Sequence, residues 1–456
     1  MSSTPSYIGQ SNNGYRASST RSGQAPASTE LPPYSRRYTL NQPVQVAPRE
    51  PTEHTYQIND GKVVLKIHSS AKSSKSLPTF FEKENIRGQL TIDAEKGDSI
   101  HAIYITITGR VVTGSSEGDS FIFLRHNVPV WSRASDAPRL PSSSQNTTGT
   151  KLLGNCIWPL SIAIPRTVKV ATGTGDTQEC RLPETFLERH TRVSVQYDLK
   201  LHISRGKLRA SSEIKTAFGF ISSTRPDPPS LLRQLAYQQG CPLPNPQTDP
   251  DGWKPLGPVS CRGVMSKSRK IETRCTLAIA KPLCFTRGTA IPCCLTIEGT
   301  DSEALDILAR PSSIVLSLQR RVRFYNRTYF ARPDVAWNES VDEIGTACWW
   351  PSQTMASTTH RRQLEGEIHL SKDLRPSSDM GHFGVAYSVV LSPFNAPGFK
   401  PSSSTELVCE PVEIATMHAR GPRAVPLAPP AYDPAVACMQ SDDVRLQMPA
   451  YGLMVV

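Results

Sequence analysis

Recognition chemistry in this chain concentrates at Pro429-Pro430-Ala431-Tyr432, a Pro-Pro-x-Tyr element near the end of the 456 residues. Consecutive prolines are pre-set in polyproline II, so little conformational entropy is lost when such a segment docks. Aromatic-lined grooves of the WW type stack against Pro429 and Pro430 and receive the Tyr432 ring, leaving Ala431 as a spacer that can face solvent. Two looser copies keep a proline two positions before a tyrosine. Leu31-Pro32-Pro33-Tyr34 reads as L-P-x-Y near the N-terminus, and Met448-Pro449-Ala450-Tyr451 lies in the same C-terminal stretch. Weak elements at both ends can act together on tandem WW domains by raising the effective concentration.

Basic side chains are the second candidate set. Lys200, Arg205, Lys207 and Arg209 sit on or beside one expected hairpin, and Arg321 and Arg323 share the polar face of a later strand. Arginines so placed can grip acidic or phosphorylated peptide tails bidentately, although an ordinary solvated face has the same composition. Arg320 falls on the apolar face of its strand. A buried arginine demands a carboxylate, so Arg320 marks either a strand end or an internal ion pair.

Catalytic constellations are missing from the sequence. No G-x-S-x-G, no H-E-x-x-H, no phosphate-cradling loop and no spaced Cys/His ligand set occurs, and Gly173-Thr174-Gly175 is too short to hold a nucleotide. Neither a metal nor a cofactor is expected, and the chain reads as a non-enzyme. Cys293 and Cys294 are neighbours on a strand and so point to opposite faces.

The elements that must position these residues are strands. Val63, Leu65 and Ile67 alternate with polar neighbours, as do Ile103, Ile105 and Ile107. The longest alternation runs through Val193, Val195, Tyr197, Leu199, Leu201 and Ile203. Later come Ile271 to Ile279, Ile291 to Ile297, Leu316 to Phe324, and Phe383 to Leu391. Between the two groups, residues 223–257 are proline-rich, with a short helix expected over 229–239 that sets Leu231, Leu232, Leu235 and Ala236 on one side. The fold class is therefore all-β: two consecutive sandwiches, residues 55–222 and 258–420, flanked by polar tails 1–54 and 421–456 whose composition predicts disorder.

Composition narrows the partners. The net charge of +11 is spread over many strands, with no arginine-rich helix and no nucleic-acid motif, so nucleic acid is not expected. A diffuse positive field suits an anionic membrane surface or acidic tails. The first residues lack the apolar core of a secretory signal, and no apolar run approaches the ~18 residues of a membrane helix. Eleven unevenly spaced cysteines without a C-x-x-C pair read as reduced thiols of a cytosolic protein.

The same segments resemble the arrestin superfamily, specifically the α-arrestins, the arrestin-related trafficking adaptors of fungi. The resemblance rests on Gly88-Gln89-Leu90-Thr91-Ile92, Ile100 to Gly109, Leu182-Pro183-Glu184-Thr185-Phe186 and Val193 to Gly206. It continues through Val259 to Ile279, Arg287-Gly288-Thr289-Ala290-Ile291-Pro292, Ile314 to Phe324, Tyr387 to Leu391 and Pro411-Val412-Glu413-Ile414. The departures are a polar loop at 133–150 and an Ala/Ser/Trp-rich stretch near 336–359. The resemblance implies arrestin-like (immunoglobulin-like) domains and a non-catalytic adaptor. Such an adaptor brings a HECT-type ubiquitin ligase, through its WW domains, to the cytosolic tails of membrane transporters or receptors. Its place would be cytoplasmic, peripheral at the plasma membrane and endosomes. The alternative is an arrestin-fold scaffold that sorts cargo or signals without recruiting a ligase.

Overall fold

Alternation of β-branched and aromatic residues with polar ones dictates a sheet-dominated chain, and among the described residues the computed structural model is all-β apart from two short α-helices and short 3₁₀ turns such as Pro250–Gly252 and Pro311–Ser313. It describes residues 50–94, 100–114, 119–133, 152–171, 176–205, 210–325, 337–352 and 355–428. The first strands are β1 (Thr52–Ile58), β2 (Val63–Ser69), β3 (Thr79–Phe81), β4 (Asn85–Ala94), β5 (Ile100–Val112) and β6 (Ser120–Ser132). They are followed by β7 (Gly154–Ala163), β8 (Thr167–Ala171), β9 (Thr177–Arg181), β10 (Phe186–Leu187), β11 (Ser194–Arg205) and β12 (Ser212–Ile221). One sheet has the order β1-β2-β4-β7 and another β3-β12-β11-β5-β6, with β10 on β11 and β8 and β9 forming a separate ribbon.

Helix α1 (Leu231–Gln239) precedes the second group of strands: β13 (Trp253–Met265), β14 (Arg269–Ala280), β15 (Cys284–Thr286) and β16 (Ala290–Gly299). Then come α2 (Ser302–Leu308), β17 (Leu316–Tyr325), β18 (Trp337–Pro351), β19 (Arg361–His369), β20 (Ser378–Asp379), β21 (Phe383–Leu391), β22 (Phe399–Pro401) and β23 (Val408–Ala415). These pair in the order β15-β23-β21-β17-β18-β19-β16-β14-β13-β22, with β20 on β21. Among the described residues no strand of 52–221 pairs with a strand of 253–415.

The two groups repeat one plan. Strand β3 runs parallel to β12, and β12-β11-β5-β6 continue antiparallel. In the same way β15 runs parallel to β23, followed by β21, β17 and β18. The order β1-β2-β4-β7 matches β13-β14-β16-β19. The difference lies in β18, whose first part pairs with β17 and whose last five residues, Ala347 to Pro351, pair with β19. That shared strand merges two sheets into one, whereas β6 and β7 stay separate.

Burial follows the alternation. Leu65, Ile67, Ile103, Ile105, Ile107, Val195, Leu199, Leu201 and Ile203 are all buried, and the inward residues of both N-terminal sheets share one apolar cluster. The same holds for Ile271, Leu277, Ile279, Ile291, Leu295 and Ile297. Strand β16 buries both of its faces, so Cys293 and Cys294 are enclosed on opposite sides. The ten described cysteines are free thiols, of which Cys241 and Cys409 are exposed and Cys284 is partly so.

Three details differ from the sequence-based expectation. Strand β1 begins at Thr52, inside the expected 1–54 tail, because pairing with β2 satisfies its backbone. Strand β13 begins at Trp253, inside the expected 223–257 linker, for the same reason with β14. Helix α1 turns the three leucines of the expected apolar side outward: Leu231, Leu232 and Leu235 are exposed, and of that side only Ala236 is buried, together with Arg233. Arg233 is accepted there because it donates to the Gly252 carbonyl at 2.5 Å and the Lys281 carbonyl at 2.7 Å. Its guanidinium also lies 4.9 Å from the Trp253 ring centroid, a cation–π contact. Ser230 caps the helix start, donating to Asp249 and accepting from the Arg233 amide, and Gly240 ends the helix at φ 65°.

Candidate functional site

The proline–tyrosine elements Leu31-Pro32-Pro33-Tyr34, Pro429 to Tyr432 and Met448 to Tyr451 all lie outside the described residues. The segment that delivers the chain to Pro429 is described. After β23, Thr416 donates to the Ser222 carbonyl at 2.7 Å, the Met417 amide to the Thr224 carbonyl at 2.8 Å, and Thr286 to the Met417 carbonyl at 2.9 Å. Arg225 donates to the His418 carbonyl. The last fastening among the described residues is at Glu367 of β19, whose carboxylate accepts from the Leu427 amide at 2.9 and 3.0 Å and from the Ala428 amide at 3.2 Å. Burial pushes the Glu367 carboxyl above its ordinary range, against the Leu427 and Ala428 amides and the nearby His369, which pull it back.

Among the described basic candidates, Lys200, Arg321 and Arg323 each have a carboxylate nearby. Lys200 pairs with Glu213 at 2.6 Å across the β11–β12 hairpin, and His202 meets the other oxygen of Glu213 at 2.8 Å. The Lys200 hydrogen bond, followed by that of His202, holds the Glu213 carboxyl below its usual value despite slight burial. Arg205 donates to Ser212. Arg321 pairs with Glu339 at 3.2 Å, and Arg323 lies 3.7 Å from Asp379 and 5.3 Å from the Trp337 ring centroid. Lys207 and Arg209 lie outside the described residues. Diagonal cross-strand pairing explains the arrangement: Lys200 directly faces Lys215 and Arg321 directly faces Val341, and each reaches a carboxylate two positions along the neighbouring strand, Glu213 and Glu339, which takes up charge that the sequence presents as a patch.

What the sequence reading did not assemble is a charged cluster between the two strand groups. Glu184 and Glu188, just before and after β10, face Arg287, Arg320 and Arg375. Arg320 bridges Glu188 at 2.9 Å and Asp342 at 3.0 Å, the internal ion pair that its place on an apolar face demanded. Arg375 is 3.7 Å from Glu188, and one oxygen of Glu184 receives Arg287 and Arg375 at 3.4 Å each. The other Glu184 oxygen is buried without a hydrogen-bond partner among the described residues. Burial accordingly raises the Glu184 carboxyl, and the two arginines only partly offset it. Glu184 and Arg287 both lie in the segments that carry the arrestin resemblance, but 103 residues separate them. No spacing rule links positions that far apart.

Among the described residues there is no group of His, Cys, Asp and Glu that could hold a metal ion, and no helix long and apolar enough to cross a membrane. No protein-family model and no curated protein matches the chain.

Proposed function

We propose that this chain is an adaptor of the α-arrestin kind, with two arrestin-like modules as its body. In this reading it carries a WW-domain ubiquitin ligase of the HECT type to the cytosolic tails of membrane transporters or receptors. The observation that carries the proposal is Pro429-Pro430-Ala431-Tyr432, which follows a segment fastened to the body by Thr416 and Met417. A groove-binding element so placed has a fixed base and a short tether, which raises the effective concentration of the bound ligase near whatever the body holds. The repeated strand plan supports the two-module body. The extensive pairing of Lys200, Arg321 and Arg323 directs the search for cargo contacts away from those side chains.

The test is a pull-down with a purified ligase WW domain. Tyr432→Ala should cut capture at least five-fold, and adding Tyr34→Ala and Tyr451→Ala should abolish it. Undiminished capture by the triple variant removes the ligase-docking function.

A further inference from the structure

Outside the charged cluster, one buried carboxylate is spent on a segment that belongs to no sheet. Glu367 is 2% exposed and sits in β19 between Pro292 of β16 and Cys348 of β18 in register. A carboxylate in that position is expensive to bury unless its lone pairs are satisfied. Its satisfaction comes from the Leu427 and Ala428 amides, at 2.9 to 3.2 Å, with His369 Nε2 at 3.4 Å from Oε2. Leu427 also closes one side of a cavity of about 170 Å³ walled by Pro244, Trp253, Cys294 and Trp350. The segment is thus held by backbone hydrogen bonds to a charged group and by an apolar contact. One peptide bond separates the last of these amide donors from Pro429.

We propose that Glu367 is a clasp on the C-terminal segment that competes with ligase docking, so that the Pro429 to Tyr432 element binds fully only when Leu427 and Ala428 leave the carboxylate. The proposal rests on the ligase-docking reading above. Its geometry is one of reach. A docked element in polyproline II would advance ~3.1 Å per residue, so a bound Tyr432 would lie within roughly 12 Å of Ala428. A domain of ~35 residues has a radius of gyration of roughly 8–9 Å, so it is about 20 Å across. A groove on a domain of that size, seated on Pro429 and Pro430, would overlap the body while Ala428 is bonded to a buried side chain there. Docking must therefore draw on the population in which the clasp is open, and the apparent affinity falls by that fraction.

The experiment uses the full chain carrying Tyr34→Ala and Tyr451→Ala, so that a single element reports. A ligase WW domain is titrated by calorimetry against this parent, against Glu367→Gln and Leu427→Pro versions of it, and against a peptide of residues 424–436 with and without Leu427→Pro. Glutamine keeps the shape of Glu367 but loses its charge. Proline at 427 deletes the amide that makes two of the three contacts and leaves the sheet untouched, so a folding defect at Glu367 cannot decide the outcome. Trypsin cleavage after the exposed Arg423 reports release of the segment without any ligase. Both variants should bind at least three-fold tighter than the parent, approach their matched peptides, and be cut at least three-fold faster. If either affinity or cleavage stays at the parent value in both variants, the clasp is overturned, and binding of the peptide leaves the ligase-docking reading standing. A peptide that fails to bind overturns that reading and the competition together, whatever the cleavage rates.

Discussion

Strands β11 and β21 occupy the same place in the repeated plan, and each carries a buried tyrosine that bonds back to a carbonyl before it. Tyr197 donates to the Pro183 carbonyl and Tyr387 to the Arg375 carbonyl, both at 2.6 Å. Burial raises both phenols well above their ordinary value. Their cross-strand partners differ completely. Tyr197 faces Gly109 of β5, whereas Tyr387 faces Arg320 of β17. A Cβ at Gly109 would lie 2.5 Å from the Phe123 ring and 3.0 Å from Tyr197, so the glycine makes room for an aromatic cage completed by Phe218 and Phe220. At the matching place in the C-terminal group, Arg320 reaches out to Glu188 of the other group and to Asp342. One plan is thus finished in two ways: a closed aromatic interior, and an ionic contact that depends on a second set of strands. Aromatic burial is insensitive to salt and pH. A partly exposed ionic contact responds to both.

The largest expected effect comes from filling the aromatic side. Gly109→Val should destabilise the protein by about 3 kcal/mol through overpacking against Phe123 and Tyr197, seen as a lower urea midpoint. A variant with an unchanged midpoint would show that the cage has slack. Arg320→Met removes the ionic side while keeping an unbranched apolar stem in place of the arginine's. Because Glu188 and Asp342 keep partial solvent access, the cost should be about 1 kcal/mol at low salt. Added salt should erase most of the difference from the parent, whereas the loss in Gly109→Val should persist at any ionic strength.

The smallest effect concerns pH. Glu184 holds its proton more tightly in the folded chain than in the unfolded one. As pH rises above the ordinary carboxylate value, the unfolded chain loses its proton first, and stability falls until the raised folded value is passed. Replacing the carboxyl by an amide should flatten that decline. The urea midpoint of Glu184→Gln, followed from pH 4 to 7, should therefore fall less steeply than that of the parent. Parallel slopes would place the carboxylate in a better-solvated site than its burial implies.

The ionic side was half legible in the sequence. Arg320 stood out because it interrupts an apolar alternation, which left two readings, a strand end or an internal ion pair with a carboxylate, and the ion pair is what the fold holds. Which carboxylate could not be read, since Glu188 is 132 residues away. Helix α1 misled for a related reason. Three leucines out of nine residues suggested the buried side, yet Arg233 is buried instead, because the Trp253 ring at the start of β13, the Gly252 carbonyl just before it and the Lys281 carbonyl just after β14 converge on it. The basic candidates looked like a surface patch because their acidic partners, such as Glu213 and Glu339, sit on neighbouring strands rather than on their own.

By itself, the sequence determined the all-β class, the inward faces of the long strands and the Pro-Pro-Ala-Tyr element, because alternation and proline geometry act within a few residues of chain. Only the tertiary structure decided that the strands follow one plan twice, that Glu184 and Glu188 meet three arginines of the other group, and that Glu367 holds Leu427 and Ala428. Those outcomes depend on which buried charges find partners when distant segments pack, and the cost of leaving a charge unpaired is set by the surroundings that only folding creates.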